Sequence, residues 1–344
     1  MDPAGPRRPP TLADVARLAG VSAMTVSRLI NEQGKVSRPT ADRVRLAMQQ
    51  LRYRPNPLAR GLAGGRTQTL GVVTFDTAQY GPASTLLGIE RAARERGYGV
   101  AIAAIARPDH DALRDAVLSL HDHQVDGLVV IAPFVATAGA LRDLEGTTPV
   151  VVAEAGHPGE APIVGIDQGH GARLATRHLL GLGHRTVHHV AGPDDWIESR
   201  LRVAGWRDEL ASAALAAPPP IETDWSAAAG YAAGVRLVEQ GDVTAVFAAN
   251  DQIALGLLHA FHARGLRVPD EVSIVGFDDT PESAYYTPAL TTVRQDFGRL
   301  GEVAVALLDQ RVADPSLVVE NKQLITPTLV VRSSTAAPRH RGRG

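Results

Sequence analysis

Cysteine is absent from the 344-residue chain, so neither disulfides nor cysteine-ligated zinc can stabilise it or supply its chemistry. Long apolar runs are absent as well: nothing approaches the roughly 20 consecutive apolar residues that a membrane span needs. The opening residues, MDPAGPRRPP, hold a basic pair with no apolar segment behind it, which is not the pattern of a secretory signal. A cytoplasmic protein with no membrane association is therefore expected. No GxGxxG follows a strand candidate, and neither GxxxxGKS nor GxxxxGKT occurs, so nucleotide phosphates have no obvious cradle. Metal ligation is equally thin. His121-Asp122-His123 and His188-His189 come without a third ligand, and histidines so arranged are usually surface or strand residues. No metal, no cofactor and no enzymatic activity are expected.

A strong charge of either sign is missing from the total, which is −2. Cutting the chain changes that. Met1 to Arg66 carries 12 basic residues (11 Arg and Lys35) against 4 acidic ones, a balance of +8, and the remainder is left at −10. A basic head on an acidic body points to a polyanion partner at the basic end, although an Arg-rich solvated surface would give the same count.

The head reads as three short helices. Thr11 and Asp14 make a capping box ahead of Leu12, Val15, Ala16 and Ala19, which share one helical face. Gly20 suits the left-handed position that ends this helix, and Ser22 can cap a second one carrying Val26, Leu29 and Ile30. A third begins near Ser37 and turns Val44, Ala47, Met48 and Leu51 inward, leaving Arg38, Arg43, Arg45 and Arg52 outside. In the next stretch Asn56 can cap and Pro57 can open a short helix that stops at Gly64-Gly65. One or two turns containing Gly61 cannot stand alone in water, so this reads as a linker that becomes helical only when something binds it.

Beyond residue 69, apolar runs alternate with amphipathic stretches. Strand candidates are 70–75, 100–105, 127–132, 150–153, 186–190, 245–249, 272–277, 290–293 and 329–331, with helices such as 83–96, 169–182 and 252–264 between them. Near-continuous apolar strands alternating with helices predict doubly wound parallel sheets. About 270 residues is long for one such unit, so two lobes with a cleft between them are expected.

The segment TLADVARLAGVSAMTVSRLIN, from Thr11 to Asn31, has helix-turn-helix geometry. Its second helix exposes Ala23, Met24, Thr25, Ser27, Arg28 and Asn31, small or polar residues able to enter a major groove. Spacing alone would equally describe an ordinary helical hairpin; the +8 charge favours DNA.

These residues, with KVSRPTADRVRLAMQQLRYRPNPLARGLAGGRT after them, resemble the DNA-binding head and hinge of the lactose repressor family. The resemblance continues through LGVV at 70, HLLGLGHR at 178–185, VAGP at 190, SRLRVAGW at 199–206, DWSAAAGY at 224–231, ANDQIALG at 249–256, VSIVGFDDT at 272–280 and LTTVRQDF at 290–297. The second half is especially similar to the member that gives the family its name. Such an ordered series is specific for the family and less so for a ligand.

The resemblance implies a small all-α helix-turn-helix head on a two-lobed α/β body of the periplasmic-binding-protein kind. Its division would run as a disordered 1–10, a head at 11–54 and a hinge at 55–66. One lobe would comprise 67–166 with 297–325, the other 167–296 with 326–335, and 336–344 would be a disordered tail. Ala23 and Met24 fall where the family chooses its operator; neither can make a bidentate hydrogen bond, so readout there should be apolar. Arg28 suits a guanine contact, Thr11, Ser22 and Thr25 suit phosphates, and Asn56, Leu62 and Ala63 belong to the hinge. Leu62 matches the leucine that enters the minor groove and bends the duplex; an ordinary linker anchor is the plainer reading.

For an effector, the resemblance places Arg202, Trp225, Asn250 and Asp278 in the cleft, with Glu154 at the position of a family aspartate and Phe297 as a second stacking wall. Phe75 can add another. Each has an ordinary alternative: Trp225 as core, Asp278-Asp279 as a capping loop, Asn250 as the cap of the following helix. Together they favour a polyol pocket, and Ile131, Phe75 and Glu154 should make it narrower and more apolar at one end.

The implied function is a DNA-binding repressor of sugar-utilisation genes, a homodimer on a pseudo-palindromic double-stranded operator, released by a saccharide inducer. Two alternatives stay open. One is a corepressor-dependent regulator that binds a purine or another metabolite; the other is a sugar-binding transport component. The polar tail has no leucine heptads, which favours a dimer over a tetramer.

Overall fold

The structure is a computed structural model; it describes residues 8, 10–30, 36–53, 66–75, 78–105, 109–131, 134, 148–153, 161–317 and 319–338. The chain divides into two compact units, Met1–Thr69 and Leu70–Gly344.

The first unit packs helices α1 (Leu12–Ala19), α2 (Ala23–Ile30) and α3 (Arg38–Leu51) around a miniature core. Val15, Val26 and Val44 are fully buried in it, with Ala16, Ala19 and Ala47 letting the helices approach closely. The capping box is present: the Asp14 N–H donates to Thr11 Oγ1 at 3.4 Å, and the Thr11 N–H donates to Asp14 Oδ2 at 2.9 Å. Gly20 ends α1 in the left-handed region at φ +64°.

The second unit contains two six-stranded sheets. The first has the order β2 (Gly99–Ile105), β1 (Thr69–Phe75), β3 (Gly127–Ile131), β4 (Val150–Ala153), β5 (Ile163–Ile166), β11 (Lys322–Ile325). Helices α4 (Tyr80–Glu95), α5 (His110–Asp122) and α10 (Phe297–Ala313) cover it. The second has the order β7 (Ile221–Glu222), β6 (His188–Ala191), β8 (Ala245–Ala248), β9 (Ser273–Asp278), β10 (Thr291–Arg294), β12 (Thr328–Val330). Around it lie α6 (Gln168–Gly181), α7 (Ile197–Ser212), α8 (Ala227–Gln240) and α9 (Asp251–Ala263). Strands β3, β4, β5, β8 and β9 are buried along their whole length, as expected when helices cover both faces. β12 runs antiparallel to β10.

The chain crosses between the sheets three times: from β5 into α6, from β10 into α10, and from β11 into β12. In the first sheet's layer, α10 touches α4 backbone to backbone, since a Cβ on Gly301 would lie 2.2 Å from the Gly88 carbonyl carbon. Three strands were not anticipated. β5 is four residues long and interrupted by Gly165, β7 has two residues, and β11 is a half-exposed edge strand whose KQLI alternates rather than forming an apolar run.

Order also persists past the expected start of a disordered tail at 336. Ser334 Oγ donates to the Ile274 carbonyl at 2.6 Å and accepts from the Thr291 N–H at 2.8 Å. Ala336 donates to Ser273 Oγ at 3.0 Å. These bonds use polar groups, so apolar patterning gives no sign of them.

Candidate functional site: a basic reading head and an aromatic-walled cleft

On the head, α2 turns Val26 inward and leaves Ala23, Met24 and Arg28 exposed, Met24 at 64%. Thr25 and Ser27 are half-buried. Two of the expected phosphate contacts already serve the backbone: Thr11 Oγ1 accepts from the Asp14 N–H at 3.4 Å, and Ser22 Oγ accepts from the Thr25 N–H at 3.1 Å. Each fixes a helix start, so the same side chain that would meet a phosphate also orients the helix presenting it. Arg38, Arg43, Arg45 and Arg52 are exposed on and just beyond α3. Asn31, Asn56, Leu62 and Ala63 lie outside the described residues.

In the body, a cavity is lined by Arg202, Trp225, Asn250, Asp278 and Phe297, all placed there from sequence. Glu154 lies outside the described residues, and Phe75 does not line the cavity. Its ring instead stands behind the wall, edge-on to Phe134 with centroids 4.3 Å apart.

Arg202 is the hub. It projects from α7, 5% exposed, with its guanidinium 4.0 Å from the Phe277 ring centroid and 5.5 Å from that of Trp225. Its Nε donates to Gln168 Oε1 at 2.9 Å, and one terminal nitrogen donates to the Ala249 carbonyl. Gln168 Nε2 donates onward to Gln295 Oε1 at 2.8 Å, and Gln295 Nε2 donates to Asp278 Oδ1 at 2.6 Å. The circuit nearly closes where Arg202 Nη2 stands 3.8 Å from Asp278 Oδ1. That span is too long for a hydrogen bond, and a hydroxyl placed to one side, about 2.8 Å from each atom, could accept from the arginine and donate to the carboxylate. All bonds run in one direction, because arginine only donates and a carboxylate only accepts.

Burial pushes the Asp278 carboxyl up to about 6 against the opposing pull of Arg202 and Gln295. Asp251, behind it, is pushed up to about 8 by burial and by the Asp278 charge. Asp251 also accepts from the Thr292 hydroxyl at 2.6 Å and the Thr280 N–H at 2.8 Å. Burial raises Asp279 as well, yet hydrogen bonds from Arg332 and Arg294 outweigh it and hold that carboxyl below its ordinary value. Trp225 at φ +73° and Asp278 at φ +109° occupy backbone regions that side chains rarely adopt, and both line the cavity.

Asn250 fulfils its ordinary alternative as a cap and also stands at the cavity. Its Oδ1 caps α9 by accepting from the Ile253 N–H at 2.7 Å, its Nδ2 donates to the Trp225 carbonyl at 3.1 Å, and the residue still lines the cavity. His189 is buried, its pKa pushed down to about 3 by burial, with Nδ1 2.9 Å from the Phe247 carbonyl oxygen; it is a core residue of β6. Among the described residues no group of three His, Asp or Glu could hold a metal ion. None of their helices is long and apolar enough to cross a membrane.

Sequence reasoning missed Gln168, Gln295, Trp196, Glu198 and Tyr80, all of which line the cavity. For the two glutamines a signal existed. Each follows the carboxyl end of a strand at a crossing between sheets, the place where ligands of open α/β sheets collect.

Comparison with known proteins settles the ancestry. Residues 11–56 match the bacterial regulatory proteins of the lacI family, and residues 176–335 match a periplasmic binding protein-like domain. The lactose operon repressor of Escherichia coli K12 is 37% identical over 334 residues, covering 96% of this chain and 92% of that protein. The chain belongs to the lacI family of bacterial regulatory proteins. The ribose operon repressor of Escherichia coli K12 is another lacI-family relative, 33% identical over 94% of this chain and 99% of its own length. A crystal structure of the lac repressor dimer bound to operator and the anti-inducer ONPF superposes with a TM-score of 0.88 at 36% identity, covering 96% of this chain and all of that one. The lacI-family likeness thus spans both sheets as well as the head.

Proposed function

We propose that this chain is a cytoplasmic transcriptional repressor of sugar-utilisation genes that binds a pseudo-palindromic operator as a homodimer and leaves it when a saccharide occupies the cleft. The observation that carries this is the buried circuit of Arg202, Gln168, Gln295 and Asp278. It sets donors and acceptors side by side on the wall of a cavity that Tyr80, Trp196, Trp225 and Phe297 also line. A sugar ring has that duality, with hydroxyls at its rim and C–H groups on its faces. Among the described residues the cleft holds no activated nucleophile paired with a base, which supports binding over catalysis. The basic head supports a regulator over a transport component.

Release requires that the saccharide bind the two lobe arrangements unequally; coupling of this kind is typically about 1–3 kcal/mol. The test is a gel-shift series with the purified protein and the DNA upstream of its own gene, at moderate salt, with and without a sugar panel. Sequence-preferring binding abolished by a sugar is the expected result. Binding strengthened by a small molecule would favour the corepressor reading, and no sequence preference would end the proposal.

A further inference from the structure

A second cavity, of about 350 Å³, lies beside the segment that carries the chain from β5 into α6. Ile166 and Gln168 line this cavity and the cleft alike, so that crossing between the sheets is the partition between the two spaces. The volume falls within the roughly 300–1,000 Å³ of small-molecule sites.

Its apolar walls are aliphatic and come from both sheet layers. Ile163 and Ile166 of β5 and Leu324 of β11 belong to the first sheet, and Ile197, Leu201 and Ala204 belong to α7. Leu201 is 37% exposed and Leu324 46%, so the cavity leaves aliphatic surface open to water. Between α6 and α7 the lining is backbone: a Cβ on Gly205 would lie 2.3 Å from the Gly169 carbonyl oxygen. No aromatic residue lines this cavity.

Three charged side chains at the lining, Arg173, Asp208 and Lys322, make no ion pair or side-chain hydrogen bond among the described residues. Arg173 is half-buried, and its Nη1 stands 3.3 Å from where a Gly169 Cβ would be, which folds the guanidinium back over the glycine contact. One turn further along α6, Arg177 pairs with Glu209 at 2.8 Å, so the same two helices satisfy one arginine and leave the other open to the cavity. The other polar side chains of the lining serve local structure. Asp167 accepts from the His170 N–H at 2.8 Å as the cap of α6, and Gln168 joins Arg202 to Gln295.

A sugar ring here would bury hydroxyls against aliphatic walls without partners, and a flat heterocycle would find no ring to stack on. An aliphatic chain fits the walls. A carboxylate fits Arg173, whose fork can hold both oxygens, and two open cations against one open carboxylate favour an anionic head. We propose that this cavity binds an aliphatic carboxylate, its head on Arg173 and its chain along Ile163, Ile166, Leu201 and Leu324, and that the acid acts as a second effector through the Ile166–Gln168 partition. Because Gln168 also holds Arg202 in the cleft, an acid that shifts the partition changes the affinity for the cleft ligand, and the cleft ligand changes the affinity for the acid by the same factor. The acid site stands independently of the saccharide reading; the coupling rests on it.

The test of the site is isothermal titration of the full-length protein with octanoate, octan-1-ol, octylammonium and acetate. Octanoate should bind with a Kd on the order of 0.1–1 mM, as expected for about ten non-hydrogen atoms, and at least about tenfold more tightly than the other three. Arg173→Gln should erase the margin over octan-1-ol, and Leu201→Asn should weaken octanoate about fivefold. Lys322→Gln, on an exposed edge strand, should weaken it about two- to threefold and serves as the second variant if Arg173→Gln folds poorly. An alcohol or ammonium that binds as tightly as octanoate, or binding untouched by Arg173→Gln and Lys322→Gln, overturns the site. For the coupling, the gel-shift series is repeated with octanoate at saturation, and the sugar concentration that half-releases the operator should move at least about threefold. An unchanged midpoint overturns the effector role. If no sugar releases the operator, the saccharide reading fails, and operator affinity with and without octanoate takes the midpoint's place.

Discussion

Gly192 and Trp225 offer a direct test of how the cleft wall is held. An added Cβ at Gly192 would lie 2.3, 2.4 and 2.5 Å from three carbons of the Trp225 six-membered ring. Non-bonded carbons settle at about 3.5–4.0 Å, so Gly192→Ala forces the indole to retreat by about 1 Å or more. Gly192 does not occupy the left-handed region, which leaves the cost steric rather than conformational. The ring is 6% exposed, its backbone is set at φ +73°, and Asn250 donates to its carbonyl oxygen. It cannot swing outward, and the space it can take is the cavity it lines. Overpacking of this kind costs about 1–3 kcal/mol. We expect a loss of about 2 kcal/mol in urea unfolding, an altered tryptophan emission, and at least about tenfold weaker saccharide binding, since a wall misplaced by an ångström degrades a positioned site. Gly181→Ala is the control: it lies in the last turn of α6 with nothing within 4 Å of an added Cβ. It should be neutral or gain up to about 1 kcal/mol from helix propensity. A Gly192→Ala protein with wild-type stability and emission would show that the wall is not rigidly held and refute the argument.

Asp251 has a carboxyl raised to about 8, so the folded state holds a proton that the unfolded chain releases near 4. Its contribution to stability is therefore present below about pH 4 and lost as pH rises toward 8. Asp251→Asn removes the dependence, and its melting temperature relative to the wild type should climb from pH 5 and level off above about pH 8; a constant difference would contradict the assignment. Leu62→Ala should weaken operator binding far more than binding to unrelated DNA, measured by competition at fixed salt, and equal losses would rule out the leucine as a minor-groove element.

Legibility followed the physics of each signal. The span 150–153 is legible because four consecutive buried β-branched and small residues leave little alternative, whereas β7 and β11 carry too few apolar residues to register. The capping box at Thr11 and Asp14 and the left-handed Gly20 were visible because they depend on local chemistry. Arg202, Trp225, Asn250 and Asp278 became candidates through family resemblance, and the cavity brings them together. Gln168 and Gln295 escaped because an amide has neither charge nor hydropathy to mark it, and their bond joins positions 127 residues apart. Trp196 escaped for a similar reason: in the sequence PDDWIE it reads as a loop aromatic, and its value depends on Phe134 and Phe75 arriving from another sheet.

The three crossings between sheets bear on how the protein is made. β11 at 322–325 is an edge of the first sheet and β12 at 328–330 an edge of the second, so neither sheet is complete until these strands have been synthesised. The core of the head, by contrast, is drawn entirely from residues 12–53. At about 5–20 residues per second, the stretch from there to β12 takes roughly 15–55 s to synthesise. During that interval each nascent molecule carries a finished basic head ahead of an unfinished sensor. Polynucleotide nearby, messenger RNA included, meets the head first, and control by the effector begins only when the C-terminal strands close both sheets.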